Sequence, residues 1–443
     1  GEKLTPENAW REYPRPQMVR SNWTCLNGLW DYAVTPIAST SGRPEKWDGK
    51  ILVPFGIESP LSGVGRHLQP DEFLWYTRKL AVKKEDGRRI LLHFESIDWR
   101  AQVFIGHREV GIPHESLNVP FSLDITDYVV NGDNHLTVCV WDPTDSSPYG
   151  TIGKQYIKPR SCFYTRTSGI LGTVWMETVP QTYIPDFVVT PDIDAGKVVF
   201  NVKSSSWRET KVSVEIYDGL RRIARGKGHV GEDITIAMPK GFKLWSPDSP
   251  ALYDAVLRLG DDEVKTYFAM RKISKVKDAK GILRFALNNQ PVFLLATLDQ
   301  GWWPDGLLTP PSDEALAYDV KVLKEYGFNS VRKHIKVEPR RFYHHCDRLG
   351  LMVLQDMPSG APQNDGTASP DNGMATDTWR YGFYRRDFQR VVDHLRNAPS
   401  IVMWIPYNEG WGQPGEFLTH STLDWIRQYD PSRLVNGPSG WND

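Results

Sequence analysis

Four short apolar segments in the last third of the chain each run directly into polar or ionisable residues. In chain order these residues are Asp299 and Gln300, Lys333 and His334, Asp356, and Asn408 and Glu409. If the apolar segments are parallel strands, these side chains gather at the edge of the sheet where barrel enzymes carry their active sites. A structural sheet needs no such residues at four successive strand ends, so the set as a whole favours a functional site.

Glu409 is the strongest single candidate. An apolar stretch from Trp404 to Tyr407 leads into Asn408-Glu409, which a glycine-rich turn containing Trp411 follows. Apolar surroundings disfavour the charged carboxylate and raise the pKa of such a group toward the range of a general acid. Asn408 could orient this carboxyl group or bind a sugar hydroxyl.

Helical periodicity begins near residue 280 and identifies the elements that position these residues. Strands and amphipathic helices alternate from there, and the spacing predicts a helix that starts at Ser312. The predicted strands are 291–298, 328–332, 351–354, 401–405 and 434–435. Four β/α units and a fifth strand predict a parallel sheet, either open and doubly wound or closed into a barrel. The first strand lacks a G-x-G-x-x-G sequence, which argues against a dinucleotide-binding sheet.

The barrel alternative implies a partial domain. A complete barrel of eight units takes about 250 residues. Residues 279–443 hold about four and a half units, so they are predicted to form the N-terminal half of a TIM barrel.

The first 278 residues have a β pattern. Residues 1–182 contain short alternating runs between turn residues, as in a β-sandwich, and residues 183–278 have the length of an immunoglobulin-like sandwich. The segment 245–250 contains two prolines and is predicted to be a loop.

Composition excludes several classes of protein. The net charge of −1 gives no reason to expect binding to nucleic acid, and no apolar run is long enough to insert into a membrane. The four cysteines are far apart and form no zinc or redox motif. The 17 Trp residues suit stacking on sugars, although large β-sheet cores would also account for them. The chain begins with Gly rather than Met, so a periplasmic or secreted location is consistent with removal of a signal peptide.

The order of several motifs resembles glycoside hydrolase family two, which contains β-galactosidases, β-glucuronidases and β-mannosidases. The resemblance extends over essentially the whole chain. The motifs that carry it are Phe73–Arg78, Thr167–Trp175, Leu244–Pro247, Phe268–Arg271, Asn329–Arg332, Cys346–Leu351 and Asn408-Glu409. It implies a jelly-roll sugar-binding domain, an immunoglobulin-like domain and a TIM barrel.

The resemblance also implies residue roles in a retaining exo-β-glycosidase. Glu409 would be the acid/base, Asn408 would contact the 2-hydroxyl of the sugar, and Asp356 would line the active site. Some family members bind magnesium at the position of Asp356, but the side chain here is one methylene shorter, so no metal or other cofactor is expected. The family nucleophile is a second Glu at the end of the seventh strand, and we expect it beyond residue 443.

Two strand ends depart from the family pattern. The second reads Arg332-Lys333-His334-Ile335-Lys336, which places the histidine one position early. Lys333 and Lys336 could bind a carboxylated sugar, but solvent-facing lysines at a helix entry are the favoured interpretation. The first strand ends in Asp299-Gln300-Gly301-Trp302-Trp303, where we expect Trp302 or Trp303 to stack on a sugar.

Three functional alternatives therefore remain open. The first is a β-galactosidase-like enzyme, the second is a β-uronidase of the same family, and the third is a non-catalytic carbohydrate-binding protein. The expected partner is a carbohydrate substrate, with possible association into a homo-oligomer. Asp98, in the first sandwich, is predicted to stabilise a turn rather than to reach into the barrel mouth.

Overall fold

A computed structural model describes residues 1–39, 42–146, 153–208, 210–358, 378–408 and 416–438, with side chains in the third helix described from residue 381. These ranges form three successive structural units, two β-sandwiches followed by an α/β unit. No helix among the described residues is both long and apolar enough to cross a membrane.

The first unit is a jelly-roll-like sandwich. Its principal sheets have the strand orders β3-β2-β4-β11-β7-β8 and β1-β15-β5-β10, and β9 also pairs with β7. Apolar side chains from both sheets pack into one core, with Trp30, Tyr76 and Phe94 among the most deeply buried. The strands are β1 Trp23–Cys25, β2 Gly28–Pro36, β3 Gly49–Val53, β4 Glu72–Val82, β5 Arg88–Phe94, β6 Ile97–Asp98, β7 Arg100–Ile105, β8 Arg108–Glu109, β9 His114–Glu115, β10 Phe121–Asp124, β11 Gly132–Trp141, β12 Gln155–Tyr156, β13 Tyr164–Thr165, β14 Gly169–Ile170 and β15 Val174–Pro180.

The second unit is an immunoglobulin-like sandwich with the sheets β16-β17-β20 and β19-β18-β23-β24. Its strands alternate buried and solvent-facing residues, as two packed antiparallel sheets require. The strands are β16 Phe187–Asp192, β17 Lys197–Val202, β18 Lys211–Asp218, β19 Arg221–His229, β20 Asp233–Ala237, β21 Trp245–Ser246, β22 Ser249–Pro250, β23 Tyr253–Leu259 and β24 Asp262–Phe268.

The segment 245–250 corrects one prediction. It was expected to be a loop because of its two prolines, but β21 and β22 pair as a small antiparallel hairpin. Pro247 occupies the turn and Pro250 lies at the end of a strand, so neither removes a hydrogen bond that the pairing needs.

The third unit contains a parallel sheet with the order β28-β29-β30-β31-β32, preceded by an antiparallel sheet β25-β26-β27. The strands are β25 Ile273–Lys277, β26 Leu283–Leu287, β27 Gln290–Pro291, β28 Ala296–Asp299, β29 Ser330–Lys333, β30 Met352–Asp356, β31 Ile401–Ile405 and β32 Leu434–Val435. The helices are α1 Asp313–Glu325, α2 Arg340–Leu349, α3 Thr378–Leu395 and α4 Glu416–Tyr429.

These elements are the predicted four and a half β/α units of a TIM barrel. The side chain of Ser312 accepts a hydrogen bond from Ala315 N and starts α1 at the predicted position. The predicted first strand, 291–298, is only partly correct, because Pro291 pairs with β26 and the barrel strand begins at Ala296.

Two buried contacts hold the barrel part against the sandwiches. Trp245 Nε1 donates to the backbone carbonyl of Asp347, and Tyr267 Oη donates to the carboxylate of Asp347 at 2.7 Å. Between the sandwiches, Arg20 bridges Glu177 and Asp262. The cavity described below is formed from both the first sandwich and the barrel part, so these contacts help to fix its walls.

Candidate active site

The ends of four parallel strands meet at one edge of the barrel sheet. The register pairs Asp299 with Lys333 and Asp356 with Ile405, which places the ends of β28 to β31 at similar heights. Asn408 follows three residues after β31 and is buried. The structure therefore brings together the strand-end residues that the sequence predicted, as far as Asn408. Glu409 and Trp411 lie outside the described residues.

Asp356 is the centre of a polar network at this edge. Its carboxylate is fully buried and accepts two hydrogen bonds from Arg332, from Nε at 3.0 Å and from Nη2 at 2.8 Å. His334 Nδ1 lies 2.9 Å from the same carboxylate, and Arg332 Nη2 also donates to Asn408 Oδ1 at 2.7 Å. A two-pronged arginine contact of this kind neutralises a buried carboxylate and fixes its orientation.

The network fixes the orientation of two potential sugar-binding side chains, those of Asn408 and His334. Because Oδ1 of Asn408 accepts from Arg332, the amide nitrogen is the group that can donate to a sugar hydroxyl. Because His334 Nδ1 faces the Asp356 carboxylate, Nδ1 carries a proton and donates to it, which leaves Nε2 as the ring nitrogen available to a ligand. His334 lines the cavity described below. Tyr407 supports the loop, since its ring stacks on Tyr384 and its hydroxyl bonds to Thr422.

Lys333 and Lys336 are not solvent-facing, which corrects the favoured interpretation of the sequence. Lys333 Nζ contacts Asp299 Oδ2 at 2.8 Å and Glu338 Oε1 at 2.6 Å. Lys336 Nζ donates to the carbonyls of Gly301 and Leu308, both at 2.7 Å, and lies 3.1 Å from Glu338 Oε2. We call Asp299, Lys333, Lys336 and Glu338 the buried quartet.

Electrostatics in the buried quartet follow from this pairing. Burial would lower the pKa of Lys333, but Glu338 and Asp299 raise it to about 12. Burial would raise the pKa of Asp299, but Lys333 brings it below its ordinary value. Burial dominates at Lys336 and lowers its pKa. The two positive and two negative charges of the quartet pair with one another. These ion pairs connect the end of β28 with the end of β29 and the loop that follows it.

Gly301 is required where the quartet meets the first strand end. Its φ is +66°, and a Cβ there would lie 2.3 Å from Glu338 Oε1 and 2.9 Å from Lys333 Nζ. This close packing explains why the chain turns at Gly301 immediately before the two tryptophans.

Of these two tryptophans, Trp302 lies at the cavity and Trp303 does not. The ring of Trp302 stacks on Tyr164 of the first sandwich with centroids 4.6 Å apart. Trp303 instead packs against the barrel core, and its backbone pairs with Leu307.

A cavity of about 750 Å³ lies between the strand ends and the first sandwich. The barrel part contributes His334, Trp302 and Lys336 to its lining, and the sandwich contributes Glu95 and Gln155. The cavity is therefore a pocket closed by a second domain rather than an open groove along the sheet.

The sandwich residues of this wall were not predicted from the sequence. Glu95 accepts from Thr173 N at 3.1 Å, and burial raises its pKa to about 7. Gln155 Nε2 donates to Asp98 Oδ2 at 2.8 Å. The predicted turn role of Asp98 is wrong, because Asp98 lies in β6 and is buried, with its pKa raised well above the ordinary value by burial and by Asp142.

Arg332 and Glu338 were also missed as parts of the site. The only signal for Arg332 in the sequence was a charged residue inside an otherwise apolar strand, next to the strand end. No group of three potential His, Cys, Asp or Glu metal ligands occurs within the described ranges.

The fold is that of a three-domain member of a glycosyl hydrolase family. Residues 66–180 match the sugar-binding domain of glycosyl hydrolases family 2, residues 182–271 match a second domain described by the name of that family, and residues 311–440 match its TIM barrel domain. The chain belongs to glycosyl hydrolase family 2.

The curated relatives with similar sequences are β-galactosidases. The protein from Aeromonas hydrophila subsp. hydrophila is 27% identical over 399 residues, which are 83% of this chain and 36% of that protein. The protein from Lactococcus lactis subsp. lactis is 27% identical over 376 residues, which are 82% of this chain and 35% of that protein. The chain thus spans about a third of the length of these relatives.

Solved structures with the same fold include β-glucuronidases. The Ruminococcus gnavus enzyme superposes with a TM-score of 0.79 at 18% identity, covering 97% of this chain and 74% of that chain. The enzyme from an uncultured Clostridium sp. gives a TM-score of 0.78 at 21% identity, with coverages of 96% and 74%. At this level of identity the likeness shows the fold.

Proposed function

We propose that this chain provides the sugar-binding pocket and the acid/base of a retaining exo-β-glycosidase. The reaction is hydrolysis of O-glycosidic bonds at non-reducing ends of carbohydrates, and the substrate is β-galactoside-like. The observation that carries the proposal is the network of Asp356, Arg332, His334 and Asn408, in which His334 lines the pocket and Asn408 directly precedes Glu409 in the chain.

The network supplies the contacts that such a reaction needs from this part of the protein. Asn408 donates from its amide nitrogen to the 2-hydroxyl of the sugar, a hydrogen bond that strengthens in the transition state. His334 accepts a second hydroxyl at Nε2, and Trp302 packs against a C–H face of the ring. Glu409 protonates the departing glycosidic oxygen and later removes a proton from the attacking water.

Neither described strand-end carboxylate is suited to be the nucleophile. A retaining enzyme needs a second carboxylate about 5–5.5 Å from the acid/base, with an oxygen able to bond to the anomeric carbon. Asp356 is held by Arg332 and His334, and Asp299 is held by Lys333. An ion-paired carboxylate of this kind positions ligands but is a poor nucleophile, so we assign both residues to the support of the pocket.

The pocket geometry supports cleavage at chain ends. Glu95 and Gln155 of the first sandwich close one side of the cavity, which suits a terminal sugar better than the middle of a polysaccharide.

The lysines at the second strand end give no support to the β-uronidase alternative. Lys336 uses its ammonium on two carbonyls and Glu338, and Lys333 uses its own on two carboxylates. Neither can bind a uronate carboxylate without breaking the buried quartet. The named relatives by sequence are β-galactosidases, which is the second reason to prefer a galactoside. Association into a homo-oligomer remains a prediction.

Hydrolysis of fluorogenic β-galactoside, β-glucuronide and β-mannoside substrates tests the proposal. The assay uses this chain and, in parallel, the longest protein that its gene encodes, each beside its Glu409→Gln variant. We expect turnover of the β-galactoside that depends on Glu409. Asn408→Ala should lower kcat/KM by about 10²-fold, because it removes a hydrogen bond that strengthens in the transition state. Asn22→Ala, at an exposed position, is the matched control.

Three results would contradict the proposal. Turnover that survives Glu409→Gln would assign the acid to another residue. Preference for the β-glucuronide would establish the uronidase alternative. Saturable sugar binding without turnover in both forms of the protein would indicate a non-catalytic carbohydrate-binding protein.

A further inference from the structure

A second cleft, of about 780 Å³, lies where the N-terminal segment, the first sandwich and the helices α2 and α3 meet. Three arginines from different segments line it: Arg15 from the N-terminal segment, Arg340 from the first turn of α2 and Arg390 from α3. Two carboxylates, Asp186 and Asp393, also line it. None of these five residues belongs to the candidate active site.

Both carboxylates are already neutralised by cations that do not line the cleft. Asp186 pairs with Lys203 at 2.8 Å. Asp393 pairs with Arg396 at 3.1 Å and accepts from the hydroxyl of Tyr429. Each carboxylate thus has a cation partner outside the cleft, while Asp186 also acts electrostatically on Arg340.

Two of the arginines have carboxylate partners. Arg15 Nη2 lies 2.6 Å from Glu177, and Arg390 Nη1 lies 3.3 Å from Asp387. Arg15 still has a buried Nε atom for which the described residues offer no acceptor.

Arg340 is the unbalanced charge. Its Nε donates to His394 Nδ1 at 3.1 Å and its Nη2 to the backbone carbonyl of His394. None of the ion pairs within the described part of the chain includes Arg340, although Asp186 and Glu95 are near enough to act on its charge electrostatically. Burial holds the pKa of His394 well below its ordinary value, so this imidazole is neutral. Burial, reinforced by Arg15, also lowers the pKa of Arg340 to about 10.

We propose that this cleft binds a small tetrahedral oxyanion, a phosphate or a sulfate. A buried polar atom that lacks a partner among the described residues, here Nε of Arg15, calls for an explanation such as a bound ion. Three arginines that line one cleft from separate segments suit an anion with oxygens pointing in several directions. A planar carboxylate would be satisfied by the fork of one arginine.

Binding there would join three parts of the molecule. The anion would contact the N-terminal segment through Arg15 and the barrel helices through Arg340 and Arg390. His394 lines both this cleft and the cavity of the candidate active site, so the bound anion would also stiffen one wall of that cavity. The inference does not depend on the proposed glycosidase activity.

Isothermal titration calorimetry of the full chain with sodium sulfate and with sodium phosphate tests the inference, in chloride buffer of constant ionic strength. We expect saturable binding at millimolar or lower concentration and a saturable rise in Tm of about 2 °C. A titration with a sugar sulfate ester distinguishes the free ion from the same group on a carbohydrate. Tighter binding of the ester would identify a sulfated sugar as the natural source, and equal or weaker binding would identify the free ion.

Arg340→Met should abolish saturable binding, and Arg221→Met, which removes the same charge from an exposed strand of the second sandwich, should leave it unchanged. If Arg340→Met does not fold, Arg390→Met replaces it, with a loss of at least tenfold in affinity expected. Sulfate stabilises proteins generally by exclusion from their surface. A Tm that rises without saturation, or equally in Arg340→Met and Arg221→Met, would therefore overturn the proposal, as would the absence of measurable heat.

Discussion

Replacing Lys333 by Met should destabilise the barrel part far more than the same change at an exposed lysine. The Lys333 side chain is 1% exposed, and its ammonium lies 2.6 Å from Glu338 and 2.8 Å from Asp299. Met has a similar volume, so the change removes the charge without leaving a large cavity. Lys50 is the matched control, because its ammonium lies 2.8 Å from Asp31 but its side chain is 59% exposed.

The expected magnitude follows from the two environments. The ion pairs raise the pKa of Lys333 from 10.5 to about 12, which corresponds to about 2 kcal/mol in favour of the charged form. Removal of the ammonium also leaves the buried carboxylate of Glu338 and the partly exposed carboxylate of Asp299 without this partner. Breaking a buried pair in this way costs about 3–5 kcal/mol. An exposed pair contributes about 1 kcal/mol or less.

The pH of the measurement matters for this comparison. The pKa of Lys333 is raised in the folded state, so its contribution is fully present below pH 10.5 and is lost as the pH rises through about 12. An experiment near pH 7.5 therefore measures the complete effect.

Urea unfolding of the full chain, followed by far-UV circular dichroism and tryptophan fluorescence, provides the assay. Because the domains can unfold separately, hydrogen exchange of β28 and β29 should identify the affected unit. Adding Glu338→Gln to Lys333→Met should recover part of the lost stability by removing one unpaired charge. The reasoning would be refuted if Lys333→Met and Lys50→Met changed the free energy of unfolding by the same amount within about 0.5 kcal/mol.

Three further predictions concern the pocket and its support. Gly301→Ala should destabilise the protein by more than about 2 kcal/mol in urea unfolding, because its Cβ would lie 2.3 Å from a buried carboxylate oxygen. The control Gly106→Ala adds a Cβ with no neighbour within 4 Å and should cost only about 1 kcal/mol of backbone strain. Trp302→Ala should weaken binding of a methyl β-galactoside at least tenfold by calorimetry, whereas Trp207→Ala, at a site 84% exposed, should not. Asp313→Asn should lower Tm most at pH 7, and the difference should shrink progressively as the pH is lowered from about 4 to 3 and below. Burial opposes ionisation of this carboxyl group, but its arginine and histidine partners hold its pKa well below 3.8, so its stabilisation is lost as the pH falls through that range.

Each of these predictions has a clear contradiction. Equal losses for the two glycine variants would mean that the buried quartet can move aside. Unchanged galactoside binding by Trp302→Ala would remove the stacking role. A Tm difference for Asp313→Asn that is as large at pH 3 as at pH 7 would show that packing, rather than ionisation, is responsible.

The repeating elements were predictable because their signals are local. The helix that starts at Ser312 and the strand Ile401–Ile405 were placed correctly from periodicity and a capping residue. The strand predicted over 291–298 was less accurate. Its apolar residues, such as Phe293, are largely exposed in the structure, so hydrophobicity alone did not mark the true strand.

The candidate site also contains features that the sequence predicted and features that it did not. The positions of Asp299, Asp356 and Asn408 at strand ends followed from the sequence, because the end of an apolar run marks the end of a strand. Their partners did not follow, because Arg332 reaches Asp356 and Asn408, and Lys333 reaches Asp299, from a different strand. The sequence favoured a solvent-facing Lys333 for the same reason, because lysines are mostly exposed and the sequence does not show whether a buried carboxylate will pair with one.

The family, the order of the three units and the strand ends that carry the polar residues could all be predicted from the sequence. Local patterning is sufficient for these, because strand and helix periodicities and short motifs depend on neighbours in the chain. Only the tertiary structure decided which charges pair, which tryptophan faces the pocket and that the first sandwich closes it through Glu95 and Gln155. These features depend on contacts between residues far apart in the chain, and burial then sets their charge state.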